Sequence, residues 1–247
     1  MLFNFFKKNN SLVFIVGVPR SGTTWMWGLL TSHPNVETLV REDIDPLNPS
    51  VVDGKRITSE TGIFIKYDDK VVLSTINKKI KKHPEKILVE KTPMHILHIK
   101  KIMRLFPDAK IIHVLRDPRA VAASMLHSKF YKFANSIRDT TDQYEKCINA
   151  IRPFEKNPNV YTLKYEDLFH ETRAQLTKVL DFIGLSEKYI EKMINENHKK
   201  TKVDLKGVYR KGKINIYKKE LTPKQIKTIE NKLLKIMQKY NYSPSNT

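Results

Sequence analysis

The sequence contains almost no cysteine and lacks a long apolar run. Its single cysteine, Cys147, excludes an internal disulfide and a zinc site built from several cysteines. The apolar residues that precede Lys7 are too few for a signal-peptide core or a membrane span. The run Leu12 to Val18 is also short, and it leads directly into a proline and an arginine, as expected for a buried strand. These features predict a cytoplasmic protein without a transmembrane segment.

Acidic residues are scarce relative to basic ones. The chain has 45 Lys and Arg against 26 Asp and Glu, a formal charge of +19, so its surface should attract anions. Many lysines lie in polar helical stretches such as Asn77 to Lys82 and Lys224 to Lys239, where a solvated face is the simplest explanation. Aromatic residues interleaved with the basic runs are sparse, and we therefore expect no nucleic-acid partner.

Short apolar runs alternate with helix-length segments, a pattern typical of βαβ units and a parallel sheet. With 247 residues, we expect one domain over 1–247, with its core at about 12–235. The pattern predicts an α/β fold with three layers, α/β/α, around a central parallel sheet. Residues 37–75 are expected to be loop with short elements. The predicted strands and the helices that follow them are Leu12 to Gly17 and Thr23 to Ser32, Ile87 to Val89 and His95 to Phe106, Lys110 to Leu115 and Arg119 to Lys129, and Val160 to Leu163 and Thr172 to Ile183.

The first candidate site is the turn after the first strand, in the segment FIVGVPRSGTTW. A helix that begins near Thr23 exposes backbone N–H groups which, with the neighbouring hydroxyls, can bind a phosphate. Arg20 adds a fixed guanidinium fork. No lysine follows Gly22, so the spacing differs from the nucleoside-triphosphate P-loop.

A second candidate site begins at the end of the strand Lys110 to Leu115. Arg116 follows the strand, Asp117 and Pro118 turn the chain into a helix, and Ser124 lies two helical turns further on. Arg116 and Ser124 can therefore face one anion from two elements.

A third basic segment, VYRKGK, lies near the C-terminus. Its residues Arg210, Lys211 and Gly212 could wrap a phosphate, although this chain has many basic runs and such a loop is unremarkable alone.

With these motifs in this order, the chain resembles the sulfotransferases that use 3′-phosphoadenosine-5′-phosphosulfate (PAPS), whose first signature is Pro-(Lys/Arg)-Ser-Gly-Thr-Thr-(Trp/Leu). The resemblance implies a P-loop-NTPase-like sulfotransferase fold and PAPS as co-substrate, with adenosine 3′,5′-bisphosphate as product and no metal. It also implies a role for each matching residue. Arg20, Ser21, Gly22, Thr23 and Thr24 would bind the 5′-phosphosulfate, Trp25 would stack on the adenine and Tyr165 would approach it, Arg116 and Ser124 would hold the 3′-phosphate, Arg210, Lys211 and Gly212 would close over it, and Lys91 would bridge the transferring group and the leaving phosphate.

The family's usual catalytic base is missing. Small-molecule sulfotransferases resemble this chain around Lys91 but carry a histidine where Pro93 stands here. Protein-tyrosine sulfotransferases instead use a glutamate a few residues after a His-Pro pair. In this chain the pair is His33-Pro34, and an alignment shifted by one residue places Glu42 at the position of that glutamate. His95, four residues past Lys91, is the alternative.

The sequence thus predicts transfer of a sulfuryl group from PAPS to a hydroxyl or amine of a carbohydrate, a protein tyrosine or a small hydroxylated molecule. Two other functions remain open. One is a phosphotransferase on a related sheet, although the loop lysine and a clear magnesium-binding aspartate are missing. The other is a polyanion-binding module without catalytic activity, which would show a steep salt dependence and no affinity for PAPS.

Overall fold

The computed structural model describes residues 12–45, 51–52, 55–56, 60–128, 135–202 and 214–245. A five-stranded parallel sheet with the strand order β2-β5-β1-β6-β7 forms its centre, and a short antiparallel pair, β3-β4, forms a second sheet. The strands are β1 (Leu12–Gly17), β2 (Val36–Thr38), β3 (Val51–Val52), β4 (Lys55–Arg56), β5 (Ile87–Lys91), β6 (Lys110–Leu115) and β7 (Val160–Lys164).

The connections between the sheet strands are mostly helical, as parallel strands require. None of the helices that the structure describes combines the length and the apolar character of a membrane-spanning segment. The α-helices are α1 (Thr23–Leu30), α2 (Ile63–Lys66), α3 (Asp69–Lys82), α4 (Ile99–Leu105), α5 (Pro118–Leu126), α6 (Ile137–Ile151), α7 (Tyr165–His170), α8 (Thr172–Ile183), α9 (Ile190–Lys202), α10 (Tyr217–Glu220) and α11 (Pro223–Lys239). Short 3-10 helices span Arg41–Asp43, Pro93–His98, Arg152–Phe154 and Glu187–Tyr189.

The sheet is buried on both faces. Along β1, Phe14 and Val16 belong to one apolar cluster, while Val13 and Ile15 belong to a second. Because side chains alternate across a strand, the two clusters lie on opposite faces of the sheet. Helices α3, α4, α5, α6 and α11 contribute to the first cluster, and α1, α8 and α9 to the second. This confirms the predicted three-layer α/β/α fold.

The segment expected to be mostly loop contains more helix than its sequence pattern suggested. Helix α3 begins at Asp69 because the Asp68 side chain accepts a hydrogen bond from Val71 N at 2.9 Å, which caps the helix. The helix expected from His95 begins instead as a 3-10 helix at Pro93 and becomes α4 at Ile99. The sheet has one strand more than the sequence pattern predicted, β2, because its three residues are too few for a recognisable alternation; the other four strands lie where they were expected.

Candidate active site

The carboxyl ends of β5, β1, β6 and β7 lie side by side at one edge of the sheet. Lys91 pairs with Ile15, Gly17 with Val114, and Leu115 with Lys164. Segments that leave these strands therefore meet at the same edge, which is the usual binding position in open α/β sheets.

The turn between β1 and α1 has an unusual backbone. Arg20 has a φ of 73° and Gly22 a φ of 105°, both in the left-handed region. Gly22 is the N-cap of α1 and has no side chain with which to cap it, so N–H groups at the helix start remain for an anion. The Ser21 hydroxyl is fully buried and has no hydrogen-bond partner among the described residues. This turn has the geometry of an anion-binding loop.

The first two candidate sites form a single hydrogen-bonded group. Arg20 Nε donates to Ser124 Oγ at 3.1 Å, and an Arg116 terminal nitrogen donates to the Arg20 carbonyl at 3.1 Å. Arg116 is 8% exposed, and within the described chain its Nε has no partner. The Tyr144 hydroxyl donates to the Arg116 carbonyl at 2.7 Å and fixes the backbone there. Two guanidinium groups and a hydroxyl from separate elements thus converge, and this donor set fits phosphate or sulfate.

Tyr165 contacts both Arg116 and Trp25 of α1. Its ring centroid is 4.1 Å from the Arg116 guanidinium carbon and 5.3 Å from that of Trp25. The ring also packs against Gly22, where an added Cβ would lie 2.3 Å from Tyr165 Cδ2. Tyr165 therefore supports both the loop and Arg116, and burial raises the pKa of its hydroxyl.

Phe169 is an aromatic residue that the sequence analysis missed. It is 43% exposed, and its ring centroid is 6.4 Å from that of Trp25. Phe169 follows directly after the segment that begins at Tyr165, and this position could have pointed to it. Trp25 and Phe169 together offer partly exposed aromatic surface beside the anion-binding loop.

Glu166 is a second residue that the sequence analysis missed. One carboxylate oxygen accepts from Asp117 N at 3.0 Å, and the other accepts from the Tyr242 hydroxyl at 2.9 Å. Burial raises the pKa of Glu166 above its ordinary value. Through these two hydrogen bonds, Glu166 of α7 connects the turn that follows Arg116 with the segment that follows α11.

Lys91 lies at the end of β5, beside β1. Its side chain is 2% exposed, and Nζ donates to Glu60 Oε1 at 3.2 Å. No pattern in the sequence predicted a role for Glu60, because it lies in a weakly periodic segment and approaches Lys91 only in the folded structure.

The structure separates the two candidates for the catalytic base. Glu42 is partly buried and lies in the 3-10 helix that follows β2. Directly after β2, Leu39 N donates a hydrogen bond to the Val89 carbonyl of β5 at 3.0 Å. Glu42 therefore follows the carboxyl end of a strand that pairs with β5, the strand that ends at Lys91. His95 is 0% exposed, and its ring nitrogens contact Glu90 Oε2 at 2.8 Å and Phe64 N at 3.3 Å. These contacts give His95 a structural role and argue against it as the base.

Arg210, Lys211 and Gly212 lie outside the described residues, and their role remains a prediction.

Comparisons with known proteins identify the family of the chain. Residues 12–189 match the model of the sulfotransferase family. A Caenorhabditis briggsae protein named "Putative protein-tyrosine sulfotransferase" is 30% identical over 206 residues, covering 80% of this chain and 71% of that protein. Protein-tyrosine sulfotransferase 1 of Rattus norvegicus is 33% identical over 158 residues, covering 59% of this chain and 43% of the rat protein. The chain thus spans less than half the length of this second relative.

Solved structures share the fold. Mouse sulfotransferase SULT7A1, crystallised with PAP, superposes with a TM-score of 0.66 at 16% identity, covering 94% of this chain and 87% of that one. Sulfotransferase STF9 from Mycobacterium avium gives a TM-score of 0.63 at 13% identity, covering 98% and 79%. The family match extends over more than half of the sequence, and the fold is the same. The chain therefore belongs to the PAPS-dependent sulfotransferase family.

Proposed function

We propose that this chain acts as one domain that transfers a sulfuryl group from PAPS to an acceptor hydroxyl or amine by direct displacement at sulfur. The observation that carries the proposal is the convergence of Arg20, Ser124 and Arg116 at the carboxyl ends of β1 and β6. PAPS carries anionic groups at both its 3′ and 5′ positions. A site with two arginines, a hydroxyl and a helix start suits such a donor better than a single phosphate.

The residues present fit the donor. The buried Ser21 hydroxyl and the Arg116 Nε have no partner in the described chain, and a buried polar atom normally has one. In this proposal residues 20–24 hold the 5′-phosphosulfate, and Arg116 and Ser124 hold the 3′-phosphate. Arg210, Lys211 and Gly212 cover that phosphate, while the adenine lies against the aromatic side chains of Trp25, Tyr165 and Phe169.

The proposed chemistry uses charge stabilisation and one proton transfer. As the acceptor oxygen bonds to sulfur, the bond from sulfur to the leaving phosphate oxygen breaks, and the leaving group departs as adenosine 3′,5′-bisphosphate. Lys91 and Arg20 stabilise the charge that develops on the bridging and equatorial oxygens. Glu42 takes the acceptor proton, a role supported by its position after the strand beside β5.

The acceptor class with most support is the phenolic hydroxyl of a protein tyrosine. The support comes from the two relatives at 30% and 33% identity, both of which carry the name protein-tyrosine sulfotransferase. Carbohydrates and small hydroxylated molecules are the alternatives. A panel of tyrosine peptides, oligosaccharides and simple phenols with labelled PAPS distinguishes them.

A cytoplasmic location is part of the same proposal. It is supported by the single cysteine, Cys147, which is buried in α6 and forms no disulfide. Fractionation of cells that express the full chain tests it.

The test of the donor site is calorimetric titration with adenosine 3′,5′-bisphosphate, using ATP and AMP for comparison. We expect the bisphosphate to bind most tightly and Arg116→Ala to weaken it by about 10- to 100-fold, since a hydrogen bond to a charged group contributes about 1.5–3 kcal/mol. The matched control is Arg104→Ala, which removes an exposed guanidinium paired with Asp69. Equal affinity for ATP would favour a phosphotransferase, and polyanion binding without affinity for the bisphosphate would favour a binding module.

A further inference from the structure

The lysine at the end of β5 has a carboxylate directly beside it. Glu60 Oε1 lies 3.2 Å from Lys91 Nζ. The Lys91 side chain is 2% exposed, whereas that of Glu60 is 46% exposed. A buried ammonium group is stable only when an anion or several acceptors compensate for its lost hydration. Glu60 thus helps determine where the charge of Lys91 lies.

The backbone that follows Glu60 is attached to the residue that follows Lys91. Thr61 N and Gly62 N both donate to Thr92 Oγ1, at 3.1 and 3.2 Å. Glu60 and Lys91 are therefore each one residue away from the same hydrogen-bonded junction. Their separation depends on main-chain contacts as well as on their own ion pair.

A buried glutamate holds this junction together. Glu90 accepts hydrogen bonds from Thr61 Oγ1 at 2.8 Å, Thr92 Oγ1 at 2.7 Å and His95 Nδ1 at 2.8 Å, and it is 0% exposed. Burial opposes its ionisation, but His95 and the two hydroxyls outweigh this effect and hold the pKa of Glu90 below its ordinary value. A carboxylate with all these donors is a rigid anchor.

His95 completes the junction. Phe64 N donates to His95 Nε2 at 3.3 Å, which assigns the ring proton to Nδ1 and its hydrogen bond to Glu90. His95 thereby connects the start of α2 with the end of β5. The segment that carries Glu60 is held against the strand that carries Lys91 at three points, namely Thr61, Gly62 and Phe64.

We propose that Glu60 is a positioning residue for Lys91, an inference that rests on the sulfuryl transfer proposed above. The Glu60 carboxylate, anchored through the Glu90 junction, holds the Lys91 ammonium at the strand end before the donor arrives. A lysine side chain has a flexible four-carbon stem, so an unheld ammonium would have to be reoriented during the reaction. A preoriented charge stabilises the transition state without that cost.

This role differs measurably from that of a proton acceptor. If Glu60 acts only through Lys91, substitution of Glu60 has no further effect on kcat in a variant that lacks the Lys91 ammonium. A carboxylate that takes the acceptor proton matters whether or not Lys91 is present. A double-mutant cycle separates the two roles.

With a tyrosine peptide as acceptor, the experiment measures kcat and the KM for PAPS in wild type, Glu60→Gln, Lys91→Met and the double variant. Glu60→Gln keeps the side-chain length and one oxygen but removes the charge. We expect kcat to fall by about 10- to 100-fold with a change in KM of less than about 3-fold, because misplacement of a catalytic group affects mainly the chemical step. The double variant should match Lys91→Met alone. The matched control is Glu191→Gln, whose carboxylate pairs with Arg173 on the exposed surface and whose kcat should equal that of wild type.

Two results would overturn the inference: full kcat in Glu60→Gln, or a loss in the double variant that multiplies the two single losses. Glu60→Asp, which keeps the charge but shortens its reach, should give an intermediate kcat, and urea midpoints confirm that each variant is folded. If wild type neither binds adenosine 3′,5′-bisphosphate nor consumes PAPS, the proposed function itself has failed. An active wild type with an unaffected Glu60→Gln overturns the positioning role alone.

Discussion

Arg20 and Ser124 are 104 residues apart in the chain, yet Arg20 Nε donates to Ser124 Oγ at 3.1 Å. The contact joins the loop after β1 to helix α5. It brings a side chain proposed to bind the 5′-phosphosulfate of PAPS into direct contact with one proposed to bind the 3′-phosphate, and we expect binding of the two groups to be coupled.

We expect Ser124→Ala to weaken binding of adenosine 3′,5′-bisphosphate by about 10-fold. The substitution removes a hydroxyl that orients Arg20 and faces the proposed 3′-phosphate, and a hydrogen bond to a charged group contributes about 1.5–3 kcal/mol. Calorimetry measures the effect. Thr177→Val, which removes an exposed hydroxyl beside Glu187 on α8, is the control and should bind as wild type does. Equal affinities for the two variants would contradict the proposed phosphate contact.

Gly22→Ala should destabilise the protein more than Gly62→Ala. Both glycines have positive φ, 105° and 63°, so alanine pays a conformational penalty of about 1–2 kcal/mol at either position. At Gly22 the new Cβ would also lie 2.3 Å from the Tyr165 ring, whereas at Gly62 its nearest neighbour is the flexible Lys66 side chain at 3.5 Å.

Urea unfolding of both variants measures the difference. Calorimetry should also show weaker bisphosphate binding for Gly22→Ala, because the loop and Tyr165 cannot both keep their positions. Equal losses of stability at Gly22 and Gly62 would show that the packing of Tyr165 against the loop is not tight.

Trp25→Ala and Phe169→Ala should each weaken bisphosphate binding by about 10-fold or more. Stacking of a base on an aromatic side chain contributes about 1–3 kcal/mol. Phe182→Ala is the control, because Phe182 packs against Tyr161 on α8 and β7. A ribose 3,5-bisphosphate, which lacks the base, should bind all of these proteins alike. A loss of its affinity in the Trp25 variant would assign Trp25 to loop packing instead.

The stability of the protein should depend on His113 as the pH falls. His113 is fully buried in β6, and burial lowers its pKa from 6.5 to about 4. The unfolded chain therefore takes up this proton first, and the free energy of unfolding decreases as the pH falls from 6.5 to 4. Over this range the free energy of unfolding decreases by about 3 kcal/mol in total.

His113→Gln should flatten this part of the pH profile, measured by urea unfolding at a series of pH values. His170→Gln removes an exposed histidine and serves as the control. A wild-type slope in the His113 variant would mean that other groups account for the pH dependence.

Local sequence signals predicted the elements that carry the proposed donor site. The run Leu12–Gly17 was expected as a strand, and each of its residues is buried. The Asp117-Pro118 turn begins α5 with the Asp117 side chain accepting from Arg119 N, and Gly184 ends α8 with a φ of 75°. These features depend on hydrophobic burial and on capping within a few residues, and both can be read from the chain itself.

The acceptor side was harder to predict. The sequence left Glu42 and His95 as alternatives, and the contacts of His95 with Glu90 and Phe64 N argue against His95. Glu60 was not recognised, since its segment has no clear periodicity and its partner Lys91 is 31 residues away.

By itself, the sequence determined the three-layer α/β/α fold, four of the five strands of the central sheet, the turn that carries Arg20 and Gly22, and PAPS as the co-substrate. The spacing of apolar residues along a strand or helix and the residue types in a turn are local properties of the chain, and the composition sets its net charge. Only the tertiary structure decided that Arg20 contacts Ser124, that Tyr165 packs on Gly22, and that Glu60 reaches Lys91. These contacts exist because parallel strands bring their carboxyl ends to one edge of the sheet, where residues distant in the chain become neighbours.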